Sequence, residues 1–145
     1  MTLEELKAMI IGDLEIDKTE LDLESIKTPQ IHNKYLSILM EEKLTLTRLR
    51  NDYSAIKKNK WLYYTGKMSQ EELDFFEWEP FQHNILKADI DKFMDSDDDI
   101  LKIRTKITFQ EEKVSFIEET LKMINNRQWL IRSAIDWIKF TNGTT

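Results

Sequence analysis

The chain reads as an all-α protein: two long amphipathic helices, with shorter helices before and between them. Three observations predict this. Among 145 residues there are only three glycines and two prolines, too few to punctuate a sheet. The charged fraction is 33%, and Leu, Ile, Glu, Lys, Met and Gln, which support helix, are abundant. Apolar residues recur at alternating spacings of three and four over long stretches, most regularly after residue 100. With 41% apolar residues the chain has enough to bury a core and is not a disordered sequence.

Taken in order, the first helix signal is Thr2-Leu3-Glu4-Glu5, a capping-box pattern in which Thr and Glu satisfy each other's backbone N–H. Leu3, Leu6, Met9, Ile10 and Leu14 follow at helical spacing. Residues 15–27 are ambiguous, with Thr19 able to cap a short turn. Thr28-Pro29 predicts the start of the first long helix, Thr as cap and Pro at the first position, where its missing N–H costs nothing. The apolar line Ile31, Tyr35, Ile38, Leu39, Leu46, Leu49, Tyr53 and Ile56 has one gap, at Glu42, and Gly66 can end the helix in a left-handed conformation. Ser69-Gln70-Glu71-Glu72 opens a short helix holding Leu73, Phe75 and Phe76, stopped by Pro80. Another short helix is expected over 81–93, with Phe81, Ile85, Ile90 and Phe93 on its apolar side.

The last helix begins near the acids Asp97–Asp99, which suit a positive helix start, and ends near Gly143. Ile103, Ile107, Val114, Ile117, Leu121, Ile124, Ile131, Ile135 and Ile138 form its main line, interrupted at Gln110 and Gln128. A second line, Phe109, Phe116, Met123, Leu130 and Trp137, repeats every seven residues, and Trp129 and Trp137 read as packing residues. Two readings fit this face. It is the core helix of a monomeric bundle, or it joins copies of the chain. About 40 helical residues span about 60 Å, longer than a compact domain of this size, which favours self-association. The expected contacts are Ile107, Val114, Phe116, Ile117, Leu121, Ile124, Ile131, Ile135 and Ile138.

Charge is blocked along the chain, whose formal net charge is −6. Residues 1–26 hold two lysines and eight acids, 43–67 seven basic residues and one acid, and 68–99 two lysines and eleven acids. The stretch KKNKWLYYTGK, residues 57–67, packs four lysines, a tryptophan and two tyrosines into the end of the basic block. Two readings fit it as well. Lys57, Lys58, Lys60 and Lys67 are a solvated helix end, favoured there by the helix dipole, with Trp61, Tyr63 and Tyr64 as core. Alternatively it binds single-stranded nucleic acid, where cations follow phosphates and aromatic rings stack on bases. Lys43, Arg50, Lys57 and Trp61 recur at spacings of seven, seven and four, one stripe beside the apolar line. That arrangement favours the second reading.

Other chemistries lack their motifs. The absence of cysteine removes disulfides and thiolate metal sites and fits a reducing cytoplasm. MTLEELKAMI has no basic region followed by an apolar core, so no signal peptide is expected. No apolar run approaches the roughly 20 residues of a spanning helix. Asp95-Ser96-Asp97-Asp98-Asp99 resembles the start of a calcium loop, but that loop needs Gly at 100 and Glu at 106, where Ile100 and Lys106 stand. His32 and His83 are isolated, and no phosphate-binding glycine loop or metalloprotease motif occurs. No catalytic residue, metal or cofactor is therefore expected.

Lys58-Asn59-Lys60-Trp61-Leu62-Tyr63-Tyr64-Thr65-Gly66 resembles the KARLDYYSG-type motif of the UvsY-like recombination mediators of T-even-like phages. Ile16-Asp17-Lys18-Thr19-Glu20-Leu21 is similar to that family's IDSTKL segment. Ala88-Asp89-Ile90-Asp91-Lys92 and Asp99-Ile100-Leu101-Lys102-Ile103 extend the likeness. Among its departures from the motif, Lys60 replaces Arg, Trp61 replaces Leu, and Leu62 replaces the acid. Charge is kept, while a bidentate phosphate contact is exchanged for a point charge.

The resemblance implies a function and partners. The motif would bind single-stranded DNA through Lys57, Lys58, Lys60, Trp61, Tyr63, Tyr64, Gly66 and Lys67, with Lys43 and Arg50 upstream. The protein would be a ring-shaped homo-oligomer, a heptamer, joined through its C-terminal helix. It would help displace the phage single-strand-binding protein and load a RecA-like, UvsX-like recombinase, without catalysis, in the host cytoplasm during infection. Residues 1–99 would then form a helical DNA-binding region and 100–145 the oligomerisation helix. Two other classes stay open: a helical scaffold whose basic stripe binds an acidic protein, including segment 68–99 of a neighbour, and a metal-dependent nuclease built on the Asp95–Asp99 run.

Overall fold

A computed structural model describes every residue except 82, 84, 144 and 145. The described residues form helices α1 (Leu3–Leu14), α2 (Leu21–Tyr64), α3 (Gln70–Phe76), α4 (Ile90–Asp95) and α5 (Asp98–Thr141), with a 3-10 turn at Lys87–Asp89 leading into α4. α2 and α5 each run for 44 residues. Two compact units share them: Met1–Lys43 with Glu112–Thr145, and Leu44–Glu111. The boundary expected at 99/100 falls inside the second unit, near the start of α5. No helix among the described residues is long and apolar enough to cross a membrane.

In the first unit, α1 starts with the expected reciprocal cap. The Glu5 N–H donates to Thr2 Oγ1 (3.1 Å) and the Thr2 N–H to Glu5 Oε2 (2.8 Å). Leu6 and Ile10 of α1, Tyr35 and Leu39 of α2, and Val114, Ile117, Leu121, Ile124 and Ile131 of α5 are buried. Polar ties fix the helices in register. Tyr35 donates its hydroxyl to Asp13 (2.7 Å), and Lys34 pairs with the same carboxylate (2.7 Å). Lys113 reaches the Met1 carbonyl (2.7 Å) and Glu42 (3.0 Å). Glu42, the gap in the α2 line, is therefore the partner of a cation that α5 buries. Matching residues 24 with 127 and 42 with 113 makes α2 and α5 antiparallel in this unit.

One boundary differs from the sequence reading. α2 starts at Leu21, and Thr28-Pro29 lies inside it. A proline in a helix interior leaves the carbonyl four residues earlier without its N–H. That carbonyl belongs to Ser25, and it accepts from Gln128 Nε2 of α5 (3.3 Å). Beside it, Arg127 donates to the Glu24 carbonyl and carboxylate and to the Thr28 hydroxyl (2.9 Å) while only 2% exposed. The break in the α5 apolar series at Gln128 thus serves the proline of α2. Ahead of α2, the Thr19 N–H and hydroxyl both donate to Asp17 Oδ1 (2.9 and 2.7 Å), forming the turn that the ambiguous segment left open.

In the second unit, Ile90 and Met94 of α4 and Ile100 of α5 form a core on which Tyr53, Ile56, Tyr64 and Ile85 pack. Ser69 caps α3 by accepting from the Glu72 N–H (3.2 Å), and Glu77 ends it in the left-handed region. The helix expected over 81–93 is shorter than predicted: α4 and its 3-10 turn occupy Lys87–Asp95, and residues 82 and 84 lie outside the described residues. Asp97 caps α5, its Oδ1 accepting from the N–H groups of Asp99 (2.9 Å) and Ile100 (3.1 Å). Around that cap the acidic run has local partners: Asp95 pairs with Arg104 (3.1 Å), and Asp97 and Asp99 with Lys60. Among the described residues no group of three or more His, Cys, Asp or Glu is placed to hold a metal ion.

Candidate nucleic-acid interface

The end of α2 is set by Gly66. Its φ of 71° lets the Gly66 N–H donate to the Tyr63 carbonyl (3.2 Å) and the Lys67 N–H to the Leu62 carbonyl (2.9 Å). These two bonds form a Schellman cap. The cap turns the chain sharply and leaves Lys67 beside Trp61, its ammonium 4.6 Å from the centroid of the Trp61 ring system. Trp61 is 41% exposed. Lys57 and Lys58 are exposed on the last turns of α2, and neither has an ion-pair partner among the described residues. The Lys57 ammonium lies 5.9 Å from the Tyr53 ring.

Lys60 is placed differently. It is 6% exposed, with its ammonium 3.1 Å from Asp97, 2.8 Å from Asp99 and 4.0 Å from the Trp78 ring centroid. An ammonium so enclosed is not available to a phosphate while the network is closed. Asp97 also accepts from the Tyr64 hydroxyl (2.6 Å). Burial by itself raises the Asp97 carboxyl pKa, but the bonds from Tyr64, the Ile100 N–H and Lys60 outweigh it and hold the group below the usual carboxylate range. Burial and the same carboxylate push the Tyr64 phenol well above its ordinary value. The contact between the basic stretch and acidic segment 68–99 therefore occurs within one chain.

Tyr63 and Tyr64 point their rings into an aromatic cluster. Tyr63 lies 5.3 Å from Trp78, and Tyr64 lies 5.0 Å from Phe81 and 6.0 Å from Phe93, centroid to centroid. The Tyr63 hydroxyl donates to the Glu79 carbonyl (2.6 Å). Upstream, Arg50 pairs with Glu111 (3.0 Å) in the second unit, and Lys43 with Glu118 (3.5 Å) in the first. Both pairs are exposed, a setting in which an ion pair contributes only about 0–1 kcal/mol and yields readily to a competing anion.

Against known families, residues 9–144 match the model described as recombination, repair and ssDNA binding protein UvsY. The chain belongs to the UvsY family. UvsY-family proteins are non-catalytic mediators of recombination and repair that bind single-stranded DNA. The recombination protein UvsY of Enterobacteria phage T4 is 24% identical over 143 residues, covering 99% of each chain. Two crystal structures of the bacteriophage T4 recombination mediator protein UvsY share the fold. One, in lattice type II, is 22% identical with a TM-score of 0.83, covering 98% of both chains. The other, in lattice type IV, is 23% identical with a TM-score of 0.84, covering 97% of this chain and 99% of that one.

In this UvsY-family chain two groups of residues fall elsewhere than their periodicity suggested. Val114, Ile117, Leu121, Ile124 and Ile131, expected to join copies, are buried within the chain itself. Ile107, Phe116 and Ile135 are half-buried, and Ile138 is exposed. Trp129 and Trp137, expected to pack, are 67% and 65% exposed. With Met123, Leu130 and Phe140 they leave large apolar side chains on the outside of α5. The main line is consumed by the chain's own helices, and the seven-residue line is the one left over.

Residues that the sequence reading missed sit opposite the motif. A cavity of about 520 Å³ in the second unit is lined by Trp61, Tyr64, Lys67, Phe81, His83 and Lys87, among others. Phe81 and Lys87 lie beyond the motif in sequence, past Pro80, and no local spacing connects them to it. The available signal was Phe81 directly after Pro80, which reads equally well as core.

Proposed function

We propose that this chain acts as a recombination mediator that grips single-stranded DNA at the end of α2, helps displace a single-strand-binding protein and loads a RecA-like recombinase. The gripping groups are Lys57, Lys58 and Lys67 as phosphate contacts and Trp61 as the stacking face. Arg50 and Lys43 join when an incoming phosphate replaces their exposed carboxylate partners. Lys60, Tyr63 and Tyr64 position the motif from beneath, and Gly66 shapes its end. The observation that carries the reading is the presence of exposed lysines with no ion-pair partner among the described residues, beside an exposed tryptophan, in a chain of a single-strand-binding family.

Magnitudes support an assembly. Three lysine–phosphate contacts on a single strand give a salt slope near −2, so a rise from about 50 to about 200 mM salt weakens one subunit's grip roughly 20-fold. Several subunits on one strand recover the affinity through effective concentration. We propose a ring-shaped homo-oligomer, a heptamer, joined through Met123, Trp129, Leu130, Trp137 and Phe140 of α5, working in the host cytoplasm.

The test is binding to oligo-dT across a salt series, followed by recombinase filament growth on a strand coated with single-strand-binding protein. Lys58→Ala is expected to weaken binding and reduce the slope by about 0.7 per subunit engaged, and to diminish the stimulation of filament growth. Binding that ignores both salt and Lys58 overturns the grip. Tight binding without stimulation overturns the loading role.

A further inference from the structure

We infer that the cavity lined by Trp61, Tyr64 and Lys67 on one side and Phe81, Lys87 and Asp91 on the other seats a nucleobase of the bound strand, with Lys87 contacting an adjoining phosphate. This rests on the proposed single-strand grip and extends it to residues outside 57–67.

The cavity combines two kinds of wall. Trp61, Tyr64 and Phe81 supply aromatic surface. Tyr64 is held by its hydroxyl bond to Asp97 (2.6 Å) and by edge contact with Phe81 (5.0 Å between centroids), so this wall exists before a ligand arrives. Lys67 and Lys87 supply positive charge, opposed by Asp91. Lys87 is exposed, with no ion-pair partner among the described residues. The size, about 520 Å³, is that of a small-molecule site.

The chemistry selects the occupant. Two lysines against one aspartate leave one net positive charge, enough for a single phosphate and too little to reward an acidic peptide carrying several carboxylates. Aromatic walls favour a flat, apolar, π-faced group over an aliphatic chain, and every base has such a face. A nucleotide unit supplies both features at once. The charge that favours its phosphate stands beside the ring that favours its base, since the Lys67 ammonium is 4.6 Å from the Trp61 ring centroid.

The experiment uses the full chain and two fluorescent strands of equal length, one of oligo-dT and one of abasic sugar-phosphate units, which carry the same phosphates without bases. Oligo-dT is expected to bind at least about fivefold more tightly, the lower end of what one stacked base contributes. Trp61→Ala should shrink that ratio while leaving the salt slope in place. Lys87→Ala should weaken oligo-dT binding and make its slope shallower by about 0.7. Equal binding of both strands, with both variants indistinguishable from the parent, overturns the cavity and leaves the lysine grip standing. Failure of both strands to bind overturns the grip and the cavity together. A short poly-glutamate peptide that displaces oligo-dT in a Lys87-dependent way overturns the nucleobase assignment.

Discussion

Replacing Lys60 by alanine should damage the fold before it damages DNA binding. The ammonium is the counter-charge for Asp97, which is buried, and for Asp99, which is half-exposed. Removing one partner of a buried ion pair costs about 3–5 kcal/mol, mostly because the other charge stays behind uncompensated. Asp97 would keep the Tyr64 hydroxyl and the N–H groups of Asp99 and Ile100, and Asp99 would turn to water, so the low end, about 3 kcal/mol, applies. Near this chain length 1 kcal/mol moves the melting temperature by about 2–4 °C, which gives a fall of roughly 6–12 °C. The assay is thermal unfolding by circular dichroism at neutral pH, with oligo-dT affinity measured well below the transition. Lys58→Ala is the control: an exposed lysine with no ion-pair partner among the described residues should shift the transition by no more than about 2 °C while weakening binding. Lys60→Met with Asp97→Asn should lose less than the two single changes added together, because the pair leaves as a unit. A Lys60→Ala protein that melts within about 2 °C of the parent, yet binds DNA much more weakly, would refute the reasoning and return Lys60 to the interface.

Acid should loosen the same region. The Asp97 pKa is lowered in the fold, so its contribution is complete above the ordinary carboxylate pKa of about 3.9 and is lost as pH falls through the lower folded value. Asp97→Asn should flatten the decline in melting temperature below about pH 4. Leu130→Asp with Trp137→Asp should reduce the solution mass measured by light scattering and leave helicity intact, whereas Leu121→Asp should unfold the subunit, since Leu121 is buried in its own chain. Equal mass for the parent and the Leu130/Trp137 variant would remove this face from the assembly. Gly66→Ala should cost about 1–2 kcal/mol in chemical denaturation although nothing lies within 4 Å of the added carbon, because the penalty comes from φ of 71° and not from space. Gln128→Ala should destabilise the parent more than it destabilises a Pro29→Ala background, where the Ser25 carbonyl regains a helical N–H.

Signals that act within one turn of chain were legible in the sequence. The Thr2–Glu5 cap, the Ser69 cap and the Gly66 stop depend on neighbours three to five residues apart, and the structure has each of them. The start of α2 was not legible, because Thr28-Pro29 satisfies every local rule for a helix start. It is overruled by Arg127 and Gln128, about a hundred residues away. The two apolar lines of α5 were visible, but periodicity cannot say which line a chain's own helices will take. The wide face was read as an interface along the line that the core consumes. The burial of Lys60 was not legible for a related reason. Composition shows that cations and rings are interleaved, and only the arrival of Asp97, Asp99 and Trp78 from later in the chain decides which cation stays outside.

The burial of Lys60 bears on how long a strand stays bound. If all four lysines of the stretch faced solvent, each subunit would make one more phosphate contact. Every such contact would be repeated around an assembly, so residence time would lengthen geometrically with subunit number. Closing α5 over Lys60 withholds one contact per subunit, and it withholds it from all subunits alike. On the proposed loading role, in which the strand passes to a recombinase, that is an advantage: release becomes a series of small, quickly reversed steps. Under the proposed grip, the acids at the start of α5, by pairing with Lys60, would act as an attenuator of dwell time set at folding.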